Sequence, residues 1–191
     1  MELLWVIVGL VGLVGLVYVV LYNSLIGKRN QVENAFGSVE TNLKKRYDLI
    51  PNLVAAVQKY MTYEKDLLER IVSLRTQAMA AAGGTPDPEQ RFKLEGDLSQ
   101  ALRGLMINVE NYPDLKASQN MLQLQASLNE VEEQISASRR FYNAAVTDYN
   151  NAVEMFPSNL VAGQMRLTRK PVFTIPESER AAPDLGKMFG G

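Results

Sequence analysis

Residues 124–156, LQASLNEVEEQISASRRFYNAAVTDYNNAVEMF, decide the fold of this 191-residue chain. Apolar or small side chains recur in this stretch at alternating intervals of three and four residues, which is the spacing of one helix face. The members of this stripe are Leu124, Leu128, Val131, Ile135, Ser138, Tyr142, Ala145, Tyr149, Ala152 and Phe156. An alternation kept up over roughly four heptads is coiled-coil-like. We therefore expect one long helix from Asp114 to Phe156, ended by Pro157, that packs along a second long helix.

The preceding sequence supplies two partner helices. Residues 32–71 carry the same apolar spacing, but Pro51 cannot donate to the carbonyl four residues back, so we expect a kink there with Asp48 capping the restart. The loop GGTPDP at residues 83–88 ends this helix. A further helix then begins at the end of that loop and stops before Pro113. Three main helices predict an all-α antiparallel bundle.

The N-terminal run LLWVIVGLVGLVGLVYVVLY, residues 3–22, contains 20 consecutive uncharged residues. As a helix it extends roughly 30 Å, which matches the hydrocarbon core of a bilayer. No lysine or arginine precedes it and no A-x-A-type cleavage site follows it, so an uncleaved anchor is favoured over a signal peptide. Lys28 and Arg29 follow the run, and the positive-inside rule then predicts an external N-terminus and a cytoplasmic C-terminal domain.

Gly9, Gly12 and Gly15 recur every three residues within this apolar span. Small residues along one flank let helices approach closely in lipid, which makes the flank a candidate surface for self-association. The alternative is that glycine is simply commoner in membrane helices, because the spacing is not the better-attested G-x-x-x-G. Both interpretations stay open from the sequence.

Composition excludes several classes of chemistry. The chain has no cysteine and no histidine, which removes thiol nucleophiles, Ser-His-Asp catalysis and nearly every zinc site. A net charge of -1 gives no bulk attraction to nucleic acid. The densest acidic cluster, Glu130, Glu132 and Glu133, is interpreted as a solvated helix face rather than a metal site. We expect no catalytic residue, metal or cofactor.

Charge is unevenly distributed, with a net +3 over residues 23–82 and a net -5 over residues 83–156. The basic residues nearest the span are candidates for contact with anionic lipid headgroups, and they are Lys28, Arg29, Lys44, Lys45 and Arg46. An equally supported alternative is that the basic first helix and the acidic hairpin pair with each other.

Two further patterns lie near the C-terminus. The dipeptide YN occurs at Tyr142 and again at Tyr149, and we interpret it as packed tyrosines with hydroxyl partners across the bundle rather than a ligand site. Residues 166–191 are proline-containing and include KPVFTIPE, which predicts a segment that docks as an extended strand or in a groove. The predicted domains are an anchor over residues 1–22, a bundle over residues 23–165 and this tail.

Motifs in the same regions resemble the LemA family of bacterial single-pass membrane proteins. They are YNSLIGKRNQVENAF at residues 22–36, LKKRYDLIPNLV at residues 43–54, NYPDLKA at residues 111–117 and the long stretch that contains YN twice before FP. The positions that match the family's motifs are Arg29, Asn30, Tyr47, Asp48, Pro51, Asn52, Leu53, Tyr112, Pro113, Gln125, Arg139, Tyr142, Asn143, Tyr149, Asn150, Phe156 and Pro157. The resemblance implies an anchored antiparallel bundle in the bacterial cytoplasmic membrane.

The resemblance transfers no catalytic residue, and it links the family to magnetosome membranes and membrane proteases by association only. Our leading hypothesis is a non-enzymatic membrane-anchored scaffold that forms a homo-oligomer and organises or remodels the membrane. The alternative is an adaptor or regulator of another membrane protein, such as a protease or sensor, with the tail as its docking strand. An enzyme with a carboxylate or tyrosine site is the third hypothesis.

Overall fold

The computed structural model of the protein describes residues 1–61, 63–83 and 88–173. Over these residues the chain forms helices and contains no β-strand, which confirms the all-α bundle. The helices are α1 (Glu2–Val57), α2 (Lys65–Gly83), α3 (Pro88–Val109), α4 (Pro113–Lys116), α5 (Gln119–Glu154) and α6 (Ser158–Gln164). The N-terminal part of α1 is long and apolar enough to span a membrane, and none of that stretch is buried within the chain.

The chain divides into two compact units, and α1 and α5 contribute to both. Unit 1 comprises Met1–Leu43 and Glu133–Val172. Unit 2 comprises Lys44–Glu132 and Phe173–Gly191, of which Phe173 alone lies in the described range. Within unit 2, α2 packs against α3, and the Phe92 and Phe173 rings lie 3.5 Å apart between centroids.

In unit 1, α1 and α5 pack against each other in antiparallel directions. The Asn42 side-chain amide donates to the Gln134 carbonyl at 3.4 Å, and the Phe36 and Tyr142 ring centroids lie 5.6 Å apart. Residue numbers therefore fall along α5 as they rise along α1.

The predicted stripe on the long C-terminal helix is buried over most of its length. Its buried members are Leu128, Val131, Ile135, Ser138, Tyr142, Ala145 and Tyr149. Phe156 was wrongly assigned to this buried stripe, because α5 ends at Glu154 and Phe156 is exposed. The helix also starts later than predicted, since Ala117 and Ser118 separate α4 from α5. There the Ser118 hydroxyl accepts the Met121 backbone N–H at 3.2 Å, as an N-cap does.

The predicted first helix is two helices, α1 and α2, which are separated between Val57 and Lys65, and α1 continues through Pro51. Apolar spacing did not reveal this break, because Met61 is buried within the turn and falls in step with Val57 and Ile71. Asp48 does not cap a new helical segment, because it lies inside α1 and is exposed.

Helix α1 continues through Pro51 because another side chain replaces the missing backbone hydrogen bond. Proline at position 51 has no N–H for the Tyr47 carbonyl, four residues earlier. The Arg75 Nε of α2 donates to that carbonyl at 2.7 Å. A buried carbonyl left without a donor would cost free energy, so this bond stabilises the uninterrupted helix.

We expect Arg75→Met to lower the free energy of unfolding by about 1–2 kcal/mol, because the Tyr47 carbonyl loses its donor. Urea unfolding in mild detergent, followed by circular dichroism, measures the change. In a Pro51→Ala background the new backbone N–H can bond to Tyr47, so the same Arg75→Met change should cost less there. An equal cost in both backgrounds would contradict this account of the helix.

Candidate functional site

Arg46 lies at the centre of a buried polar cluster in unit 2. Its side chain is 0% exposed, and its Nη2 forms an ion pair with the equally buried carboxylate of Glu95. Its Nη1 donates to Glu132 Oε1 at 2.9 Å and to Ser99 Oγ at 2.6 Å. The Tyr47 hydroxyl donates to the second oxygen of Glu95. One guanidinium therefore joins side chains of α1, α3 and α5.

The cluster balances a large desolvation cost with charge pairing. An isolated buried guanidinium costs several kcal/mol, and carboxylates offset that cost only when hydrogen bonds hold them in place. Burial, and next the negative charge of Glu95, raise the pKa of the Tyr47 phenol, so Tyr47 stays a neutral donor. The donors and acceptors named here point at one another, while the Arg46 Nε is buried with no hydrogen-bond partner among the described residues. Paired charges of this kind are the arrangement of a structural cluster.

Two sequence predictions are wrong at this cluster. Arg46 was a candidate for lipid headgroups, but it is fully buried and paired with carboxylates. Glu132 was placed on a solvated face, but it accepts from Arg46 and its side chain is only 33% exposed. The spacing held a signal for Arg46, since it follows Leu43 by three residues and precedes Ile50 by four, and both neighbours are buried. The alternative prediction, that the basic first helix pairs with the acidic hairpin, is correct for Arg46.

A second polar arrangement, in unit 1, holds the tail segment, defined as residues 167–172. The Tyr142 hydroxyl donates to the Pro171 carbonyl at 3.1 Å, and the Tyr149 hydroxyl donates to the Thr168 carbonyl at 3.2 Å. Burial raises the pKa of both tyrosines above the ordinary value, which keeps both hydroxyls protonated as donors.

Asn150 completes this arrangement, which we call the tail clamp (Tyr142, Tyr149 and Asn150). Its amide nitrogen donates to the Lys170 carbonyl at 2.9 Å, and its amide oxygen accepts the Lys170 N–H at 2.9 Å. The Lys170 ammonium lies 5.7 Å from the centroid of the Tyr149 ring. All four hydrogen bonds reach main-chain atoms, so the clamp recognises an extended backbone rather than particular side chains.

The YN repeat thus has partners that the sequence did not reveal. Its tyrosines are packed, as interpreted, but their hydroxyl partners are tail carbonyls and not another helix. Asn143, the other asparagine of the repeat, is half-buried. The described part of KPVFTIPE, residues 170–173, forms no strand, and the remaining four residues lie outside the described range.

The remaining predicted residues are spread over the surface. Exposed members are Asn30, Lys44, Lys45, Asp48, Pro51, Asn52, Phe156 and Pro157, while Lys28 and Arg139 are half-buried. Arg29 pairs with Glu33 at 3.1 Å, with both side chains about half exposed. Among residues 1–61, 63–83 and 88–173, no group of three or more acidic side chains is arranged to hold a metal ion.

We expect Glu95→Gln to lower the free energy of unfolding by about 3–5 kcal/mol, because it leaves the buried Arg46 charge without its fully buried partner. Glu132→Gln is the matched variant, and it should cost less because that carboxylate is partly solvated. Chemical unfolding in mild detergent measures both. A Glu132 variant that costs as much as the Glu95 variant would refute this ranking.

For the tail clamp, Asn150→Ala should speed amide hydrogen exchange in residues 167–172 by roughly tenfold, since two hydrogen bonds to Lys170 are lost. Mass spectrometry of peptides from this region measures the rate. Asn151→Ala, which changes the exposed neighbouring asparagine, serves as the control and should leave the rate unchanged. Equal rates in the two variants would mean that Asn150 does not hold the tail.

Sequence comparisons with known proteins agree on one family. The chain is similar to "Protein LemA" of Metamycoplasma hominis, with 27% identity over 172 residues, which are 90% of this chain and 77% of that protein. It is also similar to "Magnetosome protein MamQ 2" of Paramagnetospirillum magneticum, with 25% identity over 74% of this chain and 60% of that protein. "Magnetosome protein MamQ" of Magnetospirillum gryphiswaldense is 23% identical over the same shares. The chain thus spans less than two thirds of the magnetosome proteins that it matches. The family model described as "LemA family" matches residues 35–186, and the chain therefore belongs to the LemA family.

Proposed function

We propose that this chain is a non-enzymatic, membrane-anchored helical scaffold that self-associates and organises or remodels the bacterial cytoplasmic membrane. The observation that carries the proposal is the N-terminal part of α1, which is apolar, long enough to cross a bilayer and unburied within the chain. So much exposed apolar surface is unfavourable in water and favourable in lipid. The magnetosome relatives carry the name of a membrane-bounded structure, which agrees with a role at membranes.

The continuity of α1 supports a scaffolding role. The apolar span ends at Tyr22, and the first buried core residue of the same helix is Leu25. These residues are about 5 Å apart along the helix axis, at roughly 1.5 Å per residue. Since no break separates the span from this core residue, the tilt of the span in the membrane sets the direction in which the packed part of α1 leaves it.

The glycine flank offers a surface for self-association. Gly9, Gly12 and Gly15 lie on exposed helix, and a Cβ added at any of them would meet no other atom of the chain within 4 Å. That flank therefore has space for the backbone of a second copy's span to approach. Lys28 and Arg29 closely follow the span and favour a cytoplasmic bundle, with both residues near the level of anionic headgroups.

A second candidate function is an adaptor for another membrane protein. The tail clamp favours it, because the clamp holds main-chain atoms, while the Arg169 side chain is 67% exposed and pairs with Glu154 at 2.9 Å at the surface. A tail fixed in this way presents side chains to a partner. The adaptor does not require self-association, so the mass of the purified protein separates the two candidates.

We expect the full chain to form a defined oligomer in mild detergent and in nanodiscs, and the triple variant Gly9→Leu, Gly12→Leu, Gly15→Leu to have a lower mass by light scattering. Leucine blocks close helix approach without any clash inside the chain. The full chain is used because deleting the span would also remove core packing around Leu25.

The matched control is Ile7→Leu, Val14→Leu, Val17→Leu, which changes the opposite flank of the same helix and should keep the oligomer intact. A wild-type protein that is monomeric in both media would refute the scaffold and favour the adaptor. An oligomer that the glycine variant does not weaken would place self-association elsewhere on the chain.

A further inference from the structure

Helix α6 packs against α1 where the apolar span ends. Leu25 forms a buried apolar cluster with Val161 and Ala162 of α6, and Leu21 packs against that cluster. The Tyr18 hydroxyl donates to the side-chain oxygen of Gln164 at 3.1 Å. The middle and the C-terminal end of α6 are therefore held against α1 where the span ends.

These contacts set the depth of α6 relative to a membrane that α1 crosses. Tyr18 and Leu21 belong to the apolar span, and Leu25 lies three residues beyond its end. The two outer residues, Tyr18 and Leu25, are about 10 Å apart along the helix axis. This is the thickness over which an interfacial helix buries its apolar face at the boundary between headgroups and acyl chains.

Three large apolar side chains at the junction of α5 and α6 are exposed in the part of the chain that the structure describes. Phe156 is 78% exposed, and Met155 and Leu160 are each 62% exposed. We call these three residues the α5–α6 corner. Leu160 directly precedes the buried pair Val161 and Ala162, so it lies off the face of α6 that packs on α1 and is exposed.

Basic residues follow the corner in the chain. Arg166 lies two residues after α6 and is exposed, whereas Arg169 pairs with Glu154 at 2.9 Å and Lys170 lies 4.0 Å from Glu33. On α1, Lys28 and Arg29 likewise follow the end of the span. Cations beside an apolar insertion are the combination that binds an anionic phospholipid surface.

We propose that the α5–α6 corner inserts Met155, Phe156 and Leu160 into the leaflet in which the span ends, as a second membrane contact beside the anchor. This inference rests on the proposed membrane insertion of α1. The occupant is the bilayer interface itself, because α6, which carries Leu160, bonds to Tyr18 of the span through Gln164, and Leu21 of the span packs on the cluster that α6 forms with Leu25. Two attachment points limit the rotation and tilt of α1, and the inserted side chains displace lipid on one leaflet only.

The test uses single cysteines, because the natural chain has none and each label then reports one position. Full-length Phe156→Cys and Leu160→Cys are labelled with an environment-sensitive NBD fluorophore and reconstituted in vesicles of phosphatidylcholine and phosphatidylglycerol. Val17→Cys, inside the span, reports anchor insertion. Ala137→Cys, exposed on α5 about 27 Å along that helix from Met155, is the solvent control.

Lipids with a nitroxide on the acyl chain should quench the labels at positions 156, 160 and 17, while aqueous iodide should quench only the label at position 137. If iodide quenches the corner labels while the Val17→Cys label stays in lipid, the corner does not insert and the anchor stands. If neither quencher reaches the corner, protein covers it and the inference fails. If the Val17→Cys label is also in water, the proposed anchor itself is wrong.

Discussion

A guanidinium cannot remain buried without its carboxylates, and this constraint connects the helices of unit 2. Arg46 is fully buried on α1, while its partners Glu95 and Glu132 come from α3 and α5. Moving any one of the three helices would separate the opposite charges, and pairing would then no longer offset the free-energy cost of burying them. Apolar faces alone allow several registers between helices, whereas pairing of both Arg46 terminal nitrogens with carboxylates fits one. Specificity of helix register is the role that we assign to it, in keeping with single buried polar groups that fix pairing elsewhere.

A related constraint governs α1 at Pro51. Proline removes one backbone bond in the helix interior, and a helix usually bends or ends there. Here Arg75 reaches the freed Tyr47 carbonyl, and the helix runs on to Val57. Helix α1 therefore runs without a break from Glu2 to Val57, so its apolar N-terminal stretch and the core residues that follow belong to one helix.

In unit 1, the tail segment is held by hydrogen bonds to its main-chain atoms. The tail clamp satisfies main-chain groups of Thr168, Lys170 and Pro171 with two hydroxyls and one amide. Because these partners lack side-chain specificity, the position of the tail follows from the spacing of the clamp along α5. Five residues beyond Asn150, the α5–α6 corner begins, and its apolar side chains are exposed. This is the surface that we propose a membrane covers.

The sequence by itself determined the long helices, the apolar span and the buried faces, because helical periodicity and length depend on residues close in the chain. It did not locate the break at residues 58–64, since a buried Met61 keeps the apolar spacing in step through a turn. Nor did it identify the partners of Arg46, Arg75 and the YN repeat. Arg46 and Glu95 are separated by 49 residues, and hydrogen bonding across such a distance is set by packing rather than by local pattern. Tertiary structure alone decided which basic residues face solvent, which carboxylate is buried and where the tail docks, because each depends on desolvation by neighbours remote in sequence.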